Sequence, residues 1–110
     1  MKHFGLDNQT LEAFQSVFAR YPQVEEVLIY GSRALGTHRE GSDIDLCMKG
    51  RDLSEALRRR VWLELDALNT PYLVDLSVHH LLRDASLLAH VQRAGRCFYR
   101  KGAQAVRKAV

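Results

Sequence analysis

Asp43 and Asp45 stand two residues apart in the stretch YGSRALGTHREGSDIDL, and the pair Gly31-Ser32 precedes them by ten intervening residues. On a strand such neighbours project from one face, so the two carboxylates point together while Ile44, Leu46 and Met48 line the opposite, apolar face. Like charges held side by side raise each other's pKa unless a cation sits between them. Mg²⁺ answers that need: it is hard, seeks oxygen and is commonly bound by one or two carboxylates plus substrate phosphates. Gly31-Ser32 suits the phosphates. Glycine lets backbone amides approach an anion closely, serine adds a hydroxyl donor, and a short helix opening at Ser32 directs its positive end to the same place. A third carboxylate, Asp75, lies in PYLVDLSV, where Leu73, Asp75 and Ser77 share one strand face and Val74, Leu76 and Val78 form the other. An aspartate between valine and leucine is a poor choice for packing, because a buried charge is costly unless paired or metal-bound. Converging aspartates of this kind suit two-metal phosphoryl transfer.

The elements that must position these groups are legible around them. VEEVLIY reads as a buried central strand, apolar on both faces, that ends at Gly31-Ser32. Before it, Leu11, Phe14, Phe18 and Tyr21 recur at helical spacing behind the capping candidates Asp7 and Asn8, and Pro22 marks the stop. After the acidic strand, Asp52 with Glu55 forms a capping-box-like start, and the stripe Leu53, Leu57, Val61, Leu65, Leu68 predicts a crossover helix ending at Asn69. Asp84 then caps a last helix bearing Leu87, Leu88, Val91 and Ala94, with Gly95 at its C-terminus. The predicted order is helix, strand, turn, strand, helix, strand, helix, short strand. That is an α/β (α+β) fold, a small mixed sheet flanked by helices. Residues 1–100 form the single expected domain, and 101–110 are expected to be a loosely held, flexible tail.

Composition bounds the partners. At 110 residues the chain can build one hydrophobic core but no second lobe. A net charge of +3 and a pI near 9.1 suit an anionic substrate without indicating direct nucleic-acid binding. No signal-type apolar segment opens the chain, and no run of about eighteen apolar residues occurs, so a cytoplasmic location and no membrane partner are expected. Cys47 and Cys97 show no metal-ligand spacing and read as reduced packing residues.

Other residues admit two readings. Arg33 and Arg39 flank the phosphate motif and either neutralise a triphosphate or are simply solvated. Arg58, Arg59 and Arg60 are consecutive on a helix, fan out around it and read as a solvated face rather than a basic patch. His79-His80 reads as a strand-end turn rather than a metal pair, because adjacent strand residues point apart. Trp62, beside the apolar stripe, is either a core edge or an anchor for a partner.

With Gly31, Ser32, Asp43, Asp45 and Asp75 in place, and with Gly36 and Ser42 fitting a GSRxxG…SDxDL pattern, the chain resembles the minimal nucleotidyltransferases of the DNA polymerase β-like superfamily. The resemblance covers residues 24 to 100, including the closing Gly95-Arg96-Cys97-Phe98-Tyr99. It implies transfer of a nucleoside monophosphate, AMP from ATP, to a hydroxyl acceptor. Asp43 and Asp45 would hold two Mg²⁺ ions, and Asp75 would complete the second metal site and help deprotonate the acceptor. Gly31 and Ser32 would grip the β- and γ-phosphates, with Arg33 and Ser42 as further nucleotide-binding residues. A stand-alone core of this size is similar to the antitoxin half of HEPN/MNT toxin–antitoxin pairs, which implies a separate helical HEPN partner modified on a tyrosine. Two alternatives stay open: a binding module that inhibits its partner by contact alone, and a nucleotidyltransferase acting on a small molecule or an RNA end.

Overall fold

The computed structural model describes residues 3–102. The chain runs α1 (Asn8–Ala19), β1 (Glu26–Tyr30), α2 (Ser32–Leu35), β2 (Ile44–Lys49), α3 (Glu55–Asp66), β3 (Val74–Val78), a 3-10 turn (His79–Leu81), α4 (Ala85–Ala94) and β4 (Arg96–Arg100). This is the order predicted from the sequence, with His79-His80 in a turn at the end of β3. Each long helix begins where a side-chain oxygen meets an amide that has no helical partner. Asp7 accepts from Thr10 N, and Asp84 accepts from Ser86 N and Leu87 N. The start of α3 corrects the prediction. Its cap is Ser54, which accepts from Leu57 N, while Asp52 lies in the preceding turn, out of the capping position.

The sheet order is β3-β2-β1-β4. β1 pairs antiparallel with β2 and β4, whereas β2 and β3 are parallel and therefore need the crossover that α3 supplies. One face of the sheet carries the main core: Phe14 and Phe18 of α1 and Val61 and Leu65 of α3 cover Val27, Ile29, Ile44, Leu46 and Met48. Phe98 joins them because the β1–β4 register slips between Val27 and Leu28. The bulge turns the adjacent residues Phe98 and Tyr99 into the same core, with the Phe98 ring edge-on to Phe14 and Phe18 at 6.2 and 6.4 Å. The other face is thin. Under α4 lie Tyr30 and Cys47, buried with Val91 of the helix, and Leu28, Leu82 and Leu87 pack against them.

Three side chains seal outward-facing strand carbonyls. Trp62 Nε1 donates to Val74 O at 3.0 Å, Arg58 Nη1 to Leu76 O at 3.3 Å, and Gln15 Nε2 to Phe98 O at 3.0 Å. Trp62 is thus a half-buried core edge, and Arg58, also paired with Glu55 at 2.6 Å, is no free cation, while Arg59 and Arg60 are exposed. Lys101 extends the sheet's edge through Lys101 N to Glu25 O at 2.9 Å. The remainder of the expected tail, 103–110, lies outside the described residues. No helix among the described residues is long and apolar enough to cross a membrane.

The cap assignment is testable by urea unfolding. Ser54→Ala is expected to cost about 1 kcal/mol and Asp52→Ala nearly nothing; the reverse ranking would restore Asp52 as the cap.

Candidate active site

Strand register sets the chemistry. Tyr30 of β1 lies opposite Asp45 of β2, and Asp45 lies opposite Asp75 of β3, so a phenol and two carboxylates form one row across the sheet. Asp45 shares strand parity with the buried Cys47, which puts the row on the face that α4 covers. Asp43 precedes β2 on the same parity and is exposed. Asp75 is exposed as well. Asp75 is therefore not the costly buried charge expected from its apolar neighbours: β3 is an edge strand, and water reaches its carboxylate.

Asp45 carries the electrostatic load of the row. Its carboxyl is pushed up from 3.8 to about 6, first by burial and then by the charges of Asp75 and Asp43, with His90 and Arg33 pulling the other way. Burial, Asp75 and Asp45 likewise push the Tyr30 phenol up to about 12, against a hydrogen bond with Ser77. Tyr30 is therefore a neutral hydroxyl at the floor of the site.

Gly31 closes the row from above. It adopts φ 73° and ψ −155°, a conformation that L side chains rarely take, and a Cβ there would run into Asp45 Oδ2. The turn continues into α2, fixed by Leu35 N to Gly31 O at 3.1 Å and Thr37 N to Ser32 O at 2.9 Å. Ser32, half-buried, opens the helix beside the acidic row.

Two expected nucleotide ligands are otherwise engaged. Arg33 is only 3% exposed: its Nε and Nη2 donate to Ser42 O at 3.2 and 2.8 Å, its Nη1 donates to Phe4 O at 2.9 Å, and its guanidinium lies 4.8 Å from the centre of the Tyr72 ring. The planar fork ties the N-terminal turn, α2 and the approaches to β2 and β3 together. It acts on the site through its field at Asp45 rather than as a free phosphate ligand. Ser42 Oγ accepts from Arg39 N at 2.9 Å and Ser42 N donates to Arg39 O at 3.0 Å, closing the turn that delivers Asp43.

Sequence reading missed His90. Its Nε2 accepts from Gly31 N at 3.2 Å, and its ring meets Tyr30 edge-on at 5.9 Å. The signal lay in the spacing Leu87, His90, Val91, an i, i+3, i+4 set that puts the imidazole on the sheet-facing side of α4.

Among the described residues no group of three His, Cys, Asp or Glu side chains forms a preassembled metal cage. The three expected aspartates meet as an open row, not as a closed site. The donor chemistry still fits a hard cation: all the donors are carboxylate oxygens, and burial together with the neighbours' negative charge raises the Asp45 carboxyl. A cavity of about 350 Å³ lined by His3, Phe4, Arg33, His38 and Arg96 includes none of these aspartates.

Residues 12–104 match the family model described as "Polymerase beta, Nucleotidyltransferase". No curated protein sequence matches the chain. Solved structures that share the fold include three toxin–antitoxin complexes. A toxin–antitoxin with AMP-PNP is 22% identical with a TM-score of 0.64, over 94% of this chain and 80% of that one. The toxin–antitoxin MntA-HepT is 18% identical with a TM-score of 0.64, over 89% and 76%. A tri-AMPylated HEPN toxin from Shewanella oneidensis in complex with an MNT antitoxin is 19% identical with a TM-score of 0.61, over 93% and 79%.

Two predictions follow from the geometry. Between pH 3.8 and about 6 the folded chain holds the Asp45 proton more tightly than the unfolded chain, so stability falls as pH rises through this window. Above it the charged carboxylate is a constant cost in the absence of a cation. Asp45→Asn should therefore melt higher than the parent at pH 7.5 without Mg²⁺, with the gap closing as pH is lowered through about 6; a gap independent of pH would contradict the assignment. Arg33→Lys, which cannot span both carbonyls, is expected to lose about 2–3 kcal/mol in urea unfolding. Full stability in that variant would show that the fork is dispensable.

Proposed function

The chain belongs to the polymerase beta nucleotidyltransferase family, and from that premise we propose that it transfers AMP from ATP to a tyrosine hydroxyl of a helical HEPN-type protein, as an antitoxin does. The observation that carries the reading is the in-register Asp45–Asp75 pair, with the Asp45 carboxylate against the main chain of Gly31. The fold shared with an AMPylated HEPN toxin complex supports the choice of acceptor.

The reaction is an in-line displacement at the α-phosphorus. A bond forms from the acceptor oxygen to phosphorus, the bond to pyrophosphate breaks, and the hydroxyl proton is taken up by a base. Gly31 N–H and Ser32 hold the β- and γ-phosphates, and Asp43, Asp45 and Asp75 are the residues that would hold two Mg²⁺ ions. Mg²⁺, when bound, neutralises charge on the phosphate oxygens. Asp75 takes the proton of the acceptor hydroxyl, a role its exposure on the edge strand supports. Arg33 and Ser42 keep the motif loop in shape. Asp43 and Asp75 are exposed, so the acidic row suits an acceptor presented by another protein.

The test is an intact-mass measurement on the chain purified with a co-eluting partner and incubated with Mg²⁺ and each nucleoside triphosphate. Mass increments of one or more AMP units on the partner are expected with ATP. Asp43→Asn/Asp45→Asn should slow their appearance about a hundredfold or more, since metal neutralisation supplies several kcal/mol of transition-state stabilisation. A tight, inhibited complex with no mass change would replace the enzyme with a module that blocks its partner by contact. Modification of an RNA end or a small molecule by the chain alone would move the acceptor away from protein.

A further inference from the structure

His90 touches the proposed phosphate cradle yet has no part in the reaction as set out above. It is carried on α4 between residues that pack on the sheet, and its half-buried ring stands over the end of β1. One nitrogen of that ring, Nε2, is committed to the Gly31 amide at 3.2 Å, and the ring's edge contact with Tyr30 fixes its plane. The imidazole therefore stands at the Gly31 main chain and within the electrostatic reach of Asp45.

The Gly31 contact defines the ring's hydrogen-bonding state. A nitrogen that accepts from an amide bears no proton, so the neutral ring carries its proton on Nδ1. A phosphate oxygen that comes to the same amide is also an acceptor, and its lone pairs would face those of Nε2. The conflict disappears if the imidazole proton moves to Nε2, because the ring then donates to the oxygen that replaced it. Such a bond, to a charged acceptor, is among the stronger hydrogen bonds available to a side chain.

We propose that His90 is a nucleotide-binding residue: its Nε2 holds the Gly31 amide while no nucleotide is present, and on binding it releases that amide to a polyphosphate oxygen and donates to the same oxygen. The proposal rests on Gly31-Ser32 being the phosphate cradle. The Gly31 N–H is held by an acceptor, His90 Nε2, whose place a phosphate oxygen takes.

The test uses the full chain with Mg²⁺ and a non-hydrolysable ATP analogue, followed by titration calorimetry. His90→Ala and His90→Phe are expected to weaken binding about tenfold, with the phenylalanine variant keeping the ring contact to Tyr30 so that lost packing is separated from lost donation. His90→Gln, whose amide can donate, should recover most of the affinity. Nitrogen-15 NMR of the imidazole should show Nε2 bare in the free protein and proton-bearing once the analogue is bound. Affinities of the alanine and phenylalanine variants within twofold of the parent, or an Nε2 that stays bare in the complex, would overturn the role of His90 and leave the cradle standing. A parent chain that binds no nucleotide would overturn the cradle and this inference together.

Discussion

The main chain of Gly31 lies directly against the carboxylate of Asp45, and the rest of the site is arranged around that approach. Only a residue without a side chain fits there, and only a residue tolerant of a positive φ can make the turn from β1 into α2. The antiparallel register of β1 with β2 places the two segments opposite each other. The parallel register of β2 with β3 then lines up Asp75. A one-residue slip in either pairing would move the carboxylate to the other face of the sheet, into the core beneath α1 and α3. The apolar set Ile44, Leu46 and Met48 forbids that slip, so the hydrophobic core fixes the polar site.

The two faces of the sheet divide the labour. Under α1 and α3 lie most of the buried aromatics and aliphatics, and large losses there would threaten a domain whose whole stability is of the order of 5–15 kcal/mol. Under α4 the buried set is small, with Val91 as the helix's own buried residue. Segments with few buried apolar contacts open at lower free energy than the core. The helix that bears the imidazole is thus the one held to the sheet by the smaller core. Arg33 works in the opposite sense, since its fork ties the loops on the far side of α2 into one rigid frame.

Much of this was legible in the sequence, for identifiable reasons. Helix starts at Asp7 and Asp84 were readable because a short polar side chain directly precedes an apolar-periodic run. At α3, Asp52 and Ser54 both fit, and backbone geometry rather than residue type decided for Ser54. The alternation of apolar residues about Asp45 and Asp75 gave their face, because period two is unambiguous on a strand. Burial of Asp75 was not legible: edge and centre positions look alike in one strand's pattern, and pairing order is a property of the whole chain. Arg33 misled because a cation next to a phosphate motif reads as a ligand, while its actual acceptors, Phe4 O and Ser42 O, are backbone atoms that carry no sequence signature. His90 was hidden for the converse reason, being far along the chain and brought to Gly31 only by the packing of α4.

The side chains of Trp62, Arg58 and Gln15 occupy strand carbonyls that face away from the sheet on β3 and β4. An extended peptide joining a sheet extends its hydrogen-bond ladder through just such groups. Where these three donors sit, the rungs are already taken, on both outer strands. At these three positions neither another chain nor a second copy of this protein finds an open rung from which to continue the sheet.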